Sequence, residues 1–329
     1  MNKIYFTLCS NNYLAHAATL GKSIKQYDQE SKFIIGLVDK KDSTIDYGQF
    51  SYFEIIPCFD LGYSEFTEML VHYNIIEFNT AVKPYYFEYL FRTRPEVDRI
   101  YYIDPDILLY QPIESFDIEC DEADILLTPN LVYLPESTST GELASLRHGV
   151  NNLGFIGIKR GTQGLIFIQW WKDRLRTHCK IDKCRGIFVD QKWVDLAPLF
   201  FDRIKSIKHP GWNMAWWNFS ERKLLKSGQT LYVNSEEYKL IFFHFSGFKP
   251  GNRQITERFQ SDEFTIDDDH LLQSLFDDYE KRLYSNGLEY LSNVKPLLQF
   301  KEVPDSSWIR FGKKVKSKSN NLIFRIFKV

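Results

Sequence analysis

No stretch of the sequence is apolar for long enough to be read as a transmembrane helix. The longest apolar runs, such as 241–245 and 100–102, are strand-sized against the ~20 residues that a spanning helix needs. Cysteine is sparse: Cys9, Cys58, Cys120, Cys179 and Cys184 are odd in number and lack the paired short spacings of a zinc site. A disulfide scaffold is excluded, and reduced, mostly buried thiols are expected. His178-Cys179 with Cys184 offers too few ligands at poor spacing to hold a metal. Internal repeats and low-complexity tracts are missing, which excludes solenoids and propellers. The opening residues Met1-Asn2-Lys3-Ile4-Tyr5-Phe6 enter a strand-like run at once, without a charged n-region or cleavage site, so a cytoplasmic protein is expected.

Net charge is also small, at −2, but it is unevenly spread. Between Trp308 and Val329 lie seven basic residues and no acidic one, interleaved with Trp308, Phe311, Phe324 and Phe327. That pattern suits an anionic lipid surface and predicts peripheral contact with the inner face of the plasma membrane through a tail at 304–329, with a solvated tail or nucleic-acid contact as the alternative. Nucleic acid is not an expected partner. The rest, 44% hydrophobic and 26% charged, has the balance of an ordinary globular protein.

The first hundred residues alternate strand-like and helix-like patterns, the mark of βαβ units and a largely parallel sheet. Residues 3–9, 33–38 and 53–57 read as strands. Tyr13, Ala17, Leu20, Ile24 and Tyr27 fall on one helical face. Asn79-Thr80 is placed to cap a helix carrying Pro84 in its first turn. Strands are expected at 99–103, 123–127, 153–158 and 240–245, helices at 165–175 and 190–200, and a mobile loop at 135–142. Leu271, Leu275, Phe276, Tyr279 and Leu283 mark a late amphipathic helix.

Chemistry first becomes visible at Asp104-Pro105-Asp106. Two carboxylates one residue apart, at the end of the buried run Arg99-Ile100-Tyr101-Tyr102-Ile103, sit where ligands bind in open parallel sheets. Such a pair can hold Mg²⁺ or Mn²⁺ and leave other positions to phosphate oxygens; an ordinary strand-ending turn is the plain alternative. Asn11, Asn12 and Asp39 lie at ends of early strands, where nucleoside contacts are expected, though each also suits a turn.

Tyr101-Tyr102-Ile103-Asp104-Pro105-Asp106-Ile107 resembles the strand-plus-DxD signature of glycosyltransferases with the GT-A, nucleotide-diphospho-sugar transferase fold. Phe6-Thr7-Leu8-Cys9-Ser10-Asn11-Asn12-Tyr13 is similar to the opening strand and turn of the retaining family-eight type. Asn152-Leu153-Gly154-Phe155, Asp190-Gln191 and His244-Phe245-Ser246-Gly247-Phe248-Lys249-Pro250 resemble three further segments in the same chain order. The resemblance runs from about residue 3 to 252. It implies an α/β, GT-A-like single Rossmann-like domain with a mostly parallel central sheet and a helical C-terminal appendage. The expected division is 1–255 for the transferase domain, with a nucleotide-sugar half to about 125 and an acceptor half beyond, then 256–303 helical, then the tail.

The resemblance also assigns roles. Thr7, Ser10, Asn11, Asn12 and Asp39 would receive the nucleoside, with Lys83, Asn152, Gly247 and Lys249 around the donor and its diphosphate. Asp104, Asp106 and His244 would hold Mn²⁺ or Mg²⁺; the resemblance selects His244 among the histidines, and a satisfied core histidine is the alternative. Asp190 and Gln191 would face the sugar. In a retaining reaction Gln191 would stabilise the oxocarbenium-like centre; in an inverting one Asp190 would be the general base. An Asp190 that merely caps its helix is the alternative. The implied donor is a nucleotide-diphospho-sugar, UDP-sugar favoured, and the implied acceptor a glycan, lipid-linked or protein group, in bacterial surface polysaccharide or glycoconjugate assembly.

Trp212, Asn213, Trp216 and Trp217 could form a sugar-stacking wall or pack in the core. A sugar nucleotidyltransferase is disfavoured because Ser10-Asn11-Asn12 has no glycine to let backbone amides cradle a triphosphate. A catalytically silent binding module on the same fold stays open.

Overall fold

The computed structural model describes residues 2–113, 122–251 and 269–300. The tail at 304–329 and Cys120 lie outside the described residues. Among those residues no helix is long and apolar enough to cross a membrane.

The strands are β1 (Lys3–Cys9), β2 (Lys32–Leu37), β3 (Glu54–Pro57), β4 (Arg99–Ile103), β5 (Ile107–Leu109), β6 (Ile125–Pro129) and β7 (Asn151–Lys159). They continue with β8 (Ile181–Asp182), β9 (Ile187–Phe188), β10 (Ile204–Ser206), β11 (Leu224–Ser227), β12 (Thr230–Val233), β13 (Ser235–Lys239) and β14 (Phe242–His244). The helices are α1 (Leu14–Tyr27), α2 (Glu65–His72), α3 (Ile75–Ala81), α4 (Lys83–Thr93) and α5 (Thr140–His148). After them come α6 (Thr162–His178), α7 (Gln191–Val194), α8 (His270–Ser285) and α9 (Leu288–Leu291).

The central sheet has seven strands in the order β10-β6-β7-β4-β1-β2-β3. Neighbours are parallel except at β7, which runs antiparallel to both β4 and β6. This is the α/β architecture with a mostly parallel sheet expected from the sequence.

Period-two alternation explains its layers. Along β1, Ile4, Phe6 and Leu8 point into an apolar cluster shared with α3, α4 and α6. Tyr5 and Cys9 point the other way, into a second cluster with α1, β5, β14 and α8. Both faces are covered, which is why β1 and β4 read as nearly unbroken apolar runs rather than alternating ones.

The two-stranded ribbon of β5 and β14 matters most for the site. β5 begins directly after Asp106, and its antiparallel register sets Ile107 opposite His244. The amide of Phe245 donates to the Asp106 carbonyl at 2.8 Å. A histidine distant in sequence is thereby fixed beside the acidic turn.

Three local expectations are corrected. Asn79 and Thr80 lie inside α3 and cap nothing; Asn74 caps it, in a reciprocal capping box with Glu77, and Pro84 sits in the first turn of α4. The loop expected at 135–142 ends at Ser139, and α5 takes over its last three residues from another capping box, between Ser139 and Glu142. The helix expected at 190–200 is broken: α7 covers Gln191–Val194 and a separate 3-10 turn covers Ala197–Leu199. Pro198 has no amide to donate and its ring crowds the preceding turn, so an unbroken helix cannot form.

Candidate active site

A cavity of about 540 Å³ opens at the C-terminal ends of β1 and β4. Sequence-predicted residues Ser10, Asn12, Lys83, Asp104, Asp106, Asn152, Asp190, Gln191 and His244 all line it. They come from β1, α4, the turn after β4, β7, α7 and β14, so the fold assembles the site from most of the chain length.

At its acidic corner, one oxygen of Asp104, one of Asp106 and one nitrogen of His244 all lie within 4.8 Å of one another. His244 Nε2 stands 3.1 Å from Asp106 Oδ1 and 3.8 Å from Asp104 Oδ2. Gly154 lets the imidazole approach: a Cβ there would stand 2.6 Å from His244 Cε1, too close for any side chain. The edge of Trp217 closes the other side, with ring centroids 5.2 Å apart and planes near perpendicular. Burial alone would favour neutral imidazole, but Asp106 and Asp104 outweigh it and hold His244 above the ordinary histidine range. Burial would likewise raise the Asp106 carboxyl, and His244 more than reverses this.

Beside this corner lies a buried ion pair. Lys83 Nζ sits 2.9 Å from Asp190 Oδ2 and 3.8 Å from Asp104 Oδ1, over the Tyr102 ring, and donates to the Leu153 carbonyl at 3.0 Å. Burial opposes the charge on Lys83, but Asp190 and Asp104 together keep the ammonium above its usual value. Asp190, fully buried, is raised by burial more than Lys83 lowers it. Its side chain makes no capping bond to α7, so the helix-cap alternative has no bond to rest on. Val189, immediately before it, holds φ of +38°, a costly conformation for a β-branched residue and one that clusters at functional sites.

Three carboxylates, Asp104, Asp106 and Asp190, face the cavity against one ammonium, Lys83, among the described lining residues. With His244 neutral, as metal binding requires, two negative charges are left over, which a divalent cation would neutralise. Two oxygens and one imidazole nitrogen are a donor set suited to Mn²⁺ or Mg²⁺, so the residues fit a metal.

No known protein-family profile matches the chain. It is 28% identical over 254 residues to the uncharacterized protein YfnF of Bacillus subtilis strain 168, covering 76% of this chain and 82% of that protein. Among solved structures it is similar to the galactosyltransferase LgtC in complex with donor and acceptor sugar analogs: 17% identity, 78% of this chain, 93% of that one, TM-score 0.47. It is also similar to the glycosyltransferase GlyE of Streptococcus pneumoniae TIGR4, with 15% identity, 89% of this chain, 66% of that one and TM-score 0.48.

Several predicted site residues do not line the cavity. Thr7, Asn11 and Asp39 are fully buried. The Asn11 amide donates to Asp39 at 3.0 Å and to the Lys40 carbonyl at 2.8 Å. Asp39 Oδ1 accepts the amides of Lys40, Leu297 and Leu298 at 2.9–3.1 Å. In this structure Asp39 anchors the segment after α9 rather than facing the cavity. Gly247 and Lys249 follow the cavity-lining Ser246 but are not in the wall themselves.

Tyr102, Tyr13, Asn79 and Phe188 are not among the site residues expected from the sequence and do line the cavity. Tyr102 was recoverable: it lies two residues before Asp104 on the same face, and its hydroxyl donates to that carboxylate. Asn79, which donates to Ser10 Oγ at 3.2 Å, carried no local signal.

A second cavity, of about 280 Å³, adjoins the first and shares Asn152, Phe188, Gln191 and Ser246 with it. The Gln191 amide is held there from both sides, donating to the His148 carbonyl at 3.0 Å and accepting from Leu153 N at 3.4 Å. Trp216 and Trp217 face this space, whereas Trp212 and Asn213 are buried in the interior, so the tryptophan cluster divides between wall and core.

Proposed function

We propose that the protein is a metal-dependent glycosyltransferase, which moves a sugar from a nucleotide-diphosphate donor, UDP-sugar favoured, to a glycan or lipid-linked acceptor. The observation that carries this reading is the convergence of Asp104, Asp106 and His244 at the end of β4, next to the buried Lys83–Asp190 pair, in one cavity. Sugar transfer needs such a corner, because breaking the bond from the anomeric carbon to phosphate leaves negative charge on the diphosphate. Asp104, Asp106 and His244 would hold Mn²⁺ or Mg²⁺, which when bound supplies the Lewis acid for that charge.

The protein's own groups account for the rest. Lys83 offsets charge beside the carboxylates and fixes Asp190 in place. Asp190 would bind sugar hydroxyls, and Gln191, clamped between two backbone groups, lines the wall common to both cavities. The reading takes the first cavity for the donor, the second for the acceptor, and retention as the outcome, with Gln191 beside the anomeric centre. Ser10 and Asn12 would meet the nucleoside, and Lys249 would reach the diphosphate from the turn after β14. The domain division at about 255, a place in bacterial surface polysaccharide or glycoconjugate assembly, and docking of the 304–329 tail on the inner face of the plasma membrane belong to the same reading. Equal pelleting with anionic liposomes by the full chain and by one ending at Val303 would remove the last.

The test is a thermal-shift panel of nucleoside diphosphates and their sugars, with and without Mn²⁺, on wild type and Asp106→Ala. Metal-dependent stabilisation by one nucleotide family, lost in the variant, is the expected result. Binding with no sugar released from any donor would mark a silent module, and metal-independent binding would remove the metal role.

A further inference from the structure

We propose that the acceptor is an anionic glycan whose carboxylate or phosphate is held by Arg147 and Lys183 at the second cavity. The inference rests on the sugar-transfer reading above. Arg147 stands in the last turn of α5, and Lys183 follows β8; both line the cavity and both are exposed. Trp216 and Trp217 line it as well.

Its charge is what separates this cavity from its neighbour. Among the described residues no aspartate or glutamate lines it, whereas the adjoining cavity holds three. Carboxylates on the nearby segments are engaged elsewhere. Asp182 meets Arg185 at 3.4 Å, Asp195 meets Lys192 at 3.3 Å, and Glu142 accepts the Ser139 amide at 2.8 Å. The side chains of Arg147 and Lys183 have no ion-pair or hydrogen-bond partner among the described residues.

Two uncompensated cations lining a concave, aromatic-walled space gain from an anion held within reach of both. A planar carboxylate or a phosphate suits the guanidinium fork, with the ammonium as a point charge beside it. Tryptophan faces pack on the apolar faces of sugar rings, so the same space offers a platform for the glycan that carries the charge. A neutral glycan would use the tryptophans and leave both cations unanswered.

The experiment titrates the full chain, with Mn²⁺ and UDP, using three probes of equal length. They are a glucuronate-terminated tetrasaccharide, the same tetrasaccharide with that carboxyl reduced, and the reduced form carrying a terminal 6-phosphate. We expect at least one anionic probe to bind about tenfold more tightly than the neutral one at low salt, a preference that shrinks as ionic strength rises and disappears in Arg147→Gln/Lys183→Gln. Which anionic probe leads distinguishes carboxylate from phosphate. Equal affinity for all three, no binding by either anionic probe, or a preference that survives the double substitution would overturn the inference. Mn²⁺-dependent hydrolysis of UDP-sugars by the wild type, without acceptor, scores the transferase reading separately. Its absence counts against that reading, and its presence without charge discrimination counts against the anionic acceptor alone.

Discussion

The two adjoining cavities are built differently. The larger one stands on strand ends of the central sheet, and its charged groups are fixed by register and by buried ion pairs. The smaller one is made from α5, the short β8 and β9, and the turn carrying Trp216 and Trp217, with its charged groups exposed. Chemistry that must hold a cation at one point needs the first kind of construction. Recognition of variable partners is served by the second, where loops change without disturbing the sheet. The difference predicts that substitutions in the first cavity act on turnover or folding, and those in the second on affinity.

The largest effect is expected at the acidic corner. Asp106→Asn should lower turnover by about a thousandfold, since it removes the charge that would hold the metal and keeps the shape of the side chain. A variant that keeps more than a tenth of wild-type turnover would erase the distinction between the cavities. Next comes the buried pair. Lys83→Ala leaves Asp190 charged and unpaired in the interior, which costs about 3–5 kcal/mol by chemical denaturation. Lys83→Met/Asp190→Leu should recover much of that stability and none of the turnover.

A third expected effect concerns pH. The pKa of His244 is raised in the folded chain, so its ion-pair contribution is present below the unfolded value of about 6.5 and is lost as pH rises through the folded value. Mn²⁺ needs the neutral Nε2 and should bind more tightly over that same rise. The rise in melting temperature given by Mn²⁺ should therefore be larger at pH 8.5 than at pH 6, a difference from which the opposite pH dependence of His16 and His209, both pushed down to about 4 by burial, cancels; an equal or smaller rise would contradict the assignment. Smaller again, Trp217→Ala should raise the acceptor KM about tenfold with less change in kcat. A fall in kcat alone would place Trp217 with the first cavity, through its contact with His244.

Legibility in the sequence follows the same division. Asp104 and Asp106 were readable because an apolar strand ends on them, and the alternation of strands and helices foretold the sheet. His244 was reachable only by resemblance, since the ribbon register that delivers it is a long-range pairing with no local trace. Asp190 is legible as a sugar-facing residue, but nothing in the spacing of 83 and 190 marks Lys83 as its partner. Asp39 is legible as a strand end; that its carboxylate receives the backbone of Leu297 and Leu298 is announced by no local pattern. The opposite error occurred at Ser139-Thr140-Gly141-Glu142, where a legible capping box was passed over in favour of a loop. In the second cavity only the tryptophans stood out, because exposed basic residues in short elements are indistinguishable from ordinary surface until the cavity is seen.

The central claim is that Asp104, Asp106 and His244 hold a divalent cation which recruits the donor diphosphate. It is tested most directly by electron paramagnetic resonance titration of Mn²⁺ into wild type and Asp106→Asn, each with and without UDP. Wild type should remove the free-ion signal at a single saturable site that tightens with UDP, and Asp106→Asn should do neither. Equal Mn²⁺ binding by the two proteins, or binding indifferent to UDP, would contradict it.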